Sequence, residues 1–199
     1  MNNFQKNDKW SENVILVAAD YADKVTFDLI VNFERMIGRR IPKADMARWL
    51  EYVALDGGLR EGRNETQVVL IHGKGKTQME NFTPGEYASE LDGKAFNGNL
   101  GEFTLSSLPV EDDMVTAGDL FTDALGIICN SKDVKRVMVI PDAETIYNNV
   151  RNTLRRIDTD EKRITVFAMQ PMPGGNFRQE ILGYSLMQAL GIRADEIGE

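Results

Sequence analysis

The chain has one cysteine, Cys129, and one histidine, His72. A lone thiol cannot close an internal disulfide and has no second thiol for a zinc site. A lone histidine excludes multi-histidine metal centres and argues against a Ser-His-Asp triad. Positive charge is also short. The 23 Lys and Arg residues against 31 Asp and Glu leave a net charge of −8, whereas broad binding to nucleic acid needs positive surface to displace counterions. No apolar run approaches the roughly 20 residues of a membrane helix, so no membrane is expected. The opening, MNNFQKNDKWSEN, lacks an apolar stretch and a small-residue cleavage site. No secretory signal is therefore expected, and a cytoplasmic location follows by default.

What is present suits one ordinary core. A length of 199 residues with 42% hydrophobic and 27% charged content fits a single soluble domain. The reading is a polar tail at 1–13, a domain at 14–192 with an irregular insertion at 73–100, and a tail at 193–199. Charge is unevenly spread. Between Phe82 and Asp123 the only basic residue is Lys94, while bases gather around Arg39-Arg40 and Arg155-Arg156.

Apolar spacing supplies the elements. VILVAA (14–19), TQVVLIH (66–72), RVMVI (136–140) and RITVFAM (163–169) read as strands buried on both faces. GEFTLSS (101–107) alternates as a strand should. Helical spacing covers 24–38, 42–55, 115–130, 143–157 and 177–190, with a short helix near 84–91. Gly38 is a stop for the first, and Pro42 an opening for the second. The alternation predicts an α/β fold, three-layer α/β/α and Rossmann-like, with a mostly parallel sheet.

Acids recur where these strands run into helices: Asp20 after the first, Asp113 and Asp119 after the third, Asp142 and Glu144 after the fourth. Strand ends of an open α/β sheet converge on one edge, where ligands sit. Carboxylates gathered there repel unless a cation relieves them, and a hard divalent ion suits them. Asp is also a favoured helix N-cap, so the same acids suit a purely structural role.

The order of motifs resembles the PIN-like nuclease superfamily, and most its NYN branch, over about residues 14–169. Asp20-Tyr21-Ala22-Asp23 follows the first strand, where that family has Asp-x-x-Asn. Val110-Glu111-Asp112-Asp113 with Asp119 stands where it has Lys-Gly-x-Asp and a second Asp six positions on, and keeps that acidic pair and its spacing. Ile140-Pro141-Asp142-Ala143-Glu144-Thr145 stands where it has Ser-Gly-Asp-x-Asp-Phe. The chain is also similar to uncharacterised α/β proteins of gut Bacteroidetes. The PIN/NYN resemblance implies an active or inactive phosphodiesterase dependent on Mg²⁺ or Mn²⁺ and acting on RNA or single-stranded nucleic acid. Asp20, Asp113, Asp119 and Asp142 would be its metal ligands and Glu144 a supporting acid, with the arginine pairs guiding the backbone. The alternative is a non-catalytic α/β protein that binds a partner or small molecule. A homo-oligomer is compatible with either, since the stripe Phe177, Ile181, Leu182, Leu186, Leu190 suits core or oligomer contact.

Two glycine-rich segments complete the candidates. His72-Gly73-Lys74-Gly75-Lys76-Thr77 has part of a phosphate-binding loop, but Leu70 stands where the first glycine belongs, so a surface turn is expected. The segment 171–176, with Asn176 and Arg178, leads into the expected last helix, whose N-terminus could take an anion.

Overall fold

The computed structural model describes residues 9–198; the parts of the expected tails at 1–8 and Glu199 lie outside the described residues. β1 (Asn13–Ala18) runs directly into α1 (Ala19–Ile37). A two-residue strand, β2 (Ala44–Asp45), precedes α2 (Met46–Asp56), and β3 (Glu65–His72) follows. Then come β4 (Phe82–Thr83), one π-helical turn at Tyr87–Leu91, β5 (Ala95–Gly98) and β6 (Gly101–Pro109). α3 (Ala117–Cys129), β7 (Arg136–Ile140), α4 (Tyr147–Arg155) and β8 (Arg163–Ala168) continue the alternation. The last elements are β9 (Arg178–Ile181), α5 (Leu182–Ala189) and a 3-10 turn at Ala194–Ile197.

The main sheet has seven strands in the order β5-β6-β3-β1-β7-β8-β9. All neighbours are parallel except β5 on β6. Parallel strands need helical crossovers, which cover both faces and leave the strands apolar on both sides. Ile15, Val17, Val68, Leu70 and Met138 face one core, shared with Trp49, Leu50, Leu182 and Leu186 of α2 and α5. Val14, Leu16, Val69, Val137 and Val139 face the other, shared with Phe121, Leu125, Val150 and Leu154 of α3 and α4. The fold is therefore the expected three-layer α/β arrangement with a mostly parallel sheet.

Local signals set the helix ends. Gly38 adopts φ 77° and closes α1 with its N–H on the Glu34 carbonyl, a left-handed C-cap that suits glycine. Asp45 caps α2 by accepting the Arg48 N–H. Thr116 and Asp119 form a reciprocal capping box on α3. Among the described residues no helix is long and apolar enough to cross a membrane.

Two expected helices start late, α2 at Met46 with Asp45 rather than Pro42 opening it and α4 at Tyr147 rather than 143, and three further elements differ. α1 begins at Ala19, not 24, so Asp20 sits on a helical first turn. The segment 73–100 holds β4, the π turn and β5 in place of loop and α-helix; β4 pairs with β2, and β5 with β6. The expected helix at 177–190 divides, because Arg178–Ile181 pairs with β8 as an edge strand before α5 starts. Residues 194–197 are anchored: Glu196 takes the Arg39 guanidinium through Nε at 2.7 Å and Nη2 at 3.0 Å.

Candidate functional site

Crossovers from β1 lead outward through β3 and β6, and the chain then returns to place β7 on the other side of β1. The strand order reverses between β1 and β7, so their C-terminal ends form a switch-point crevice, the usual ligand position in an open α/β sheet. A cavity of about 80 Å³ lies there, lined by Asp20, Tyr21, Ile71, Phe121, Asp142 and Ile146 among others. The N-terminus of α3 closes one wall through Ala117 and Gly118. Gly118 allows this approach: a Cβ there would lie 2.8 Å from Ile146 Cγ2.

Asp20 and Asp142 both line the crevice. Asp20 Oδ2 accepts the Gly73 N–H at 2.7 Å, tying the end of β1 to the loop after β3. Asp142 Oδ1 accepts the Glu144 N–H at 3.1 Å, and its carbonyl accepts from Thr145 and Ile146. These bonds leave Asp20 Oδ1 and Asp142 Oδ2 without a hydrogen bond among the described residues. Neither acid is in an ion pair there. The negative potential registers on Tyr21, whose phenol is pushed up to about 12 by burial and then by the charges of Glu144 and Asp142.

The other expected site residues point elsewhere. Asp113 is exposed and bonded to Lys74 Nζ at 2.8 Å. Asp119 lies on the first turn of α3 beside the crevice, but its carboxylate folds back onto the Thr116 N–H. Glu144 pairs with Lys24 at 3.3 Å on the surface. Among the described residues no three His, Cys, Asp or Glu side chains form a group able to hold a metal ion. The four-carboxylate set expected from the resemblance is thus represented at the crevice by Asp20 and Asp142. Asp23, which stands in place of that family's asparagine, accepts from the Glu80 and Asn81 N–H groups and pins the insertion to α1.

A second group lies behind Asp20 and was not legible as a unit. His72 ends β3, and its ring stacks on Tyr87 with centroids 3.7 Å apart. His72 Nδ1 lies 3.2 Å from the Gly73 carbonyl; a carbonyl only accepts, so Nδ1 holds the proton and Nε2 is the bare acceptor. That Nε2 and the Tyr87 hydroxyl are both buried without a partner among the described residues. Burial lowers the His72 pKa, opposed by the Gly73 carbonyl and by the charges of Asp20 and Asp92. The Tyr87 phenol is pushed up by burial and by Asp20 and Asp23. One signal was available in sequence, the position of His72 at a strand end; Tyr87 sits in irregular chain and gave none.

The glycine-rich candidates resolve simply. Residues 73–76 form a turn closed by Lys76 N–H on the Gly73 carbonyl, with no helix after it, as a surface turn requires. Asn176 Nδ2 donates to the Leu154 carbonyl, and Arg178 lies on a strand rather than at a helix start.

Neither the curated proteins nor the solved structures include a match to this chain. Residues 7–197 match the model of DUF6621, a family of unknown function. The chain belongs to that family.

Proposed function

We propose that this protein acts by binding, and that the crevice between β1 and β7 is the seat for the ammonium or guanidinium group of a small molecule. The observation behind this reading is the pairing of Asp20 and Asp142 around one cavity with no cation of the described chain bound to either. Two carboxylates held together favour a cation between them. Size narrows the choice. About 80 Å³ accepts one headgroup, well below the roughly 300 Å³ at which drug-sized ligand pockets begin. The remaining acids act as caps and anchors, which suits a non-catalytic protein.

A second reading keeps the phosphodiesterase. It is favoured by one observation, that Asp20, Asp142 and the first turn of α3 with Asp119 meet at this crevice in the order the resemblance requires. Asp20 and Asp142 would then hold Mg²⁺ or Mn²⁺, which supplies an activated water for attack on a phosphodiester. RNA or single-stranded nucleic acid would pass across the mouth. Asp113, held by Lys74, would have to leave that ion pair to join.

The test is thermal unfolding of the wild type, Asp20→Asn and Asp142→Asn with methylguanidinium, Mg²⁺ or Mn²⁺. A ligand that binds only the folded state raises stability by RT ln(1 + [L]/Kd). A rise with methylguanidinium that both substitutions abolish supports the binding reading. A rise with Mn²⁺ alone, also abolished, together with cleavage of single-stranded RNA, supports the second. A wild type indifferent to every cation, with variants equally or more stable, would overturn both.

A further inference from the structure

At the opposite end of the sheet, the N-terminal ends of β7, β8 and β9 gather arginines. Arg136 pairs in register with Arg163, and Arg178 pairs with Thr165, two residues beyond Arg163. Side chains two apart on a strand share a face, so Arg136, Arg163 and Arg178 project from one face of three neighbouring strands. Strand spacing of about 4.8 Å puts the outer two roughly 10 Å apart across the sheet. Arg60 lies in the loop after α2, four residues beyond Asp56, which ends that helix; burial first, and then the charges of Arg163, Arg60 and Arg178, lower the pKa of Arg136.

Arg136 is built into place. Its Nη1 donates to the Gly57 carbonyl at 2.7 Å, at the C-terminus of α2, where a cation is favoured. The Nε–H beside it is buried and has no partner among the described residues. None of the four arginines is in an ion pair among the described residues. Two acids lie nearby without pairing to them: Glu180 on the same face of β9 and Asp56 at the end of α2. The pKa of Asp56 is pushed up to about 6 by burial and by the charge of Glu180. The buried Nε–H of Arg136 without an acceptor is costly for the chain alone, and the other three guanidiniums are exposed beside it.

We propose that Arg60, Arg136, Arg163 and Arg178 form a seat for a small ligand carrying two or more linked phosphate groups. Guanidinium forks match phosphate oxygens two at a time. A single phosphate ester brings a charge of about −2 and leaves four guanidiniums overmatched, whereas a linked pair or triplet balances them. A small ligand is preferred to a nucleic acid because the chain's net charge of −8 repels a long polyanion while a short one meets only the local patch. This site is separate from the crevice, and its test does not depend on the crevice.

The experiment titrates the whole chain with sodium tripolyphosphate by calorimetry, with sodium chloride at matched ionic strength as the control. The variants are Arg163→Gln/Arg178→Gln, whose side chains are exposed at strand starts, and Arg136→Lys, which keeps charge and loses the fork. Wild-type binding that weakens at least tenfold in the double variant, with an unchanged ligand-free melting temperature, is the expected result. Equal binding by wild type and double variant, or none by wild type, would overturn the proposal. Tighter binding of a single-stranded 12-mer RNA than of tripolyphosphate, lost in the same variant, would overturn it in favour of nucleic acid.

Discussion

The imidazole of His72 lies flat on the ring of Tyr87, with the planes 4° from parallel and the centroids 3.7 Å apart. The contact joins the end of β3 to the π turn of the insertion, and both rings are buried. The Tyr87 hydroxyl adds nothing to it, because it is buried without a partner among the described residues. Removing an unsatisfied polar group is neutral or favourable. Tyr87→Phe should therefore match or exceed wild-type stability in urea unfolding, while Tyr87→Ala should lose about 3–5 kcal/mol, as aromatic truncations in cores do. A loss above about 1 kcal/mol in Tyr87→Phe would mean that the hydroxyl is engaged.

Asp56 makes stability depend on pH. Its pKa in the fold is about 6, raised by burial and Glu180 from an ordinary 3.8. Between those values the folded state binds more protons than the unfolded one, so stability falls as pH rises. The contribution is fully present below 3.8 and lost as pH passes through about 6. Asp56→Asn should then melt above wild type at pH 7.5, the gap closing toward pH 4. Parallel melting curves at both pH values would contradict this account.

Asp20 couples two strand ends through one bond to the Gly73 N–H. Asparagine retains an acceptor there and alanine does not. In the absence of added cations, Asp20→Ala should cost about 1–3 kcal/mol by denaturant unfolding, the value of a hydrogen bond to a charged group with its desolvation. Asp20→Asn should cost less, since its amide oxygen still accepts from the Gly73 N–H. The reverse order would show that the charge itself supports the fold.

Ser185 seals the contact between α2 and α5. Its hydroxyl accepts the Trp49 Nε1–H at 3.2 Å and donates to the Leu182 carbonyl at 2.8 Å, with both side chains buried. Ser185→Ala strands the indole N–H and should cost about 1–3 kcal/mol. Tryptophan fluorescence during urea unfolding reads the midpoint directly. An unshifted midpoint would mean that the indole finds another acceptor.

Much of this architecture is legible because strands covered on both faces must be apolar throughout. VILVAA, TQVVLIH, RVMVI and RITVFAM all lie where their composition puts them. β9 was not legible: Arg178-Gln179-Glu180-Ile181 has no strand pattern, and only its pairing with β8 makes it one. Apolar spacing alone places the start of α1 five residues late, because Asp20-Tyr21-Ala22-Asp23 resembles a loop more than a helical turn. The crevice acids divide for the same kind of reason. Strand-end position alone brings Asp20 and Asp142 together. The directions of Asp113 and Asp119 depend on Lys74 and Thr116, local partners that strand-end position does not reveal.

The strand order also constrains how the chain can be made. β1 leaves a ribosome before every other described strand, yet one of its edges stays bare until β7 emerges, when Asn13 meets Arg136 and Val17 meets Ile140. Until then a flat apolar strand offers unpaired backbone groups to any other nascent chain, the situation that leads to edge-to-edge aggregation. A fragment truncated before Arg136 should therefore collect in the insoluble fraction during expression, while one that includes β7 has its middle strand paired on both sides.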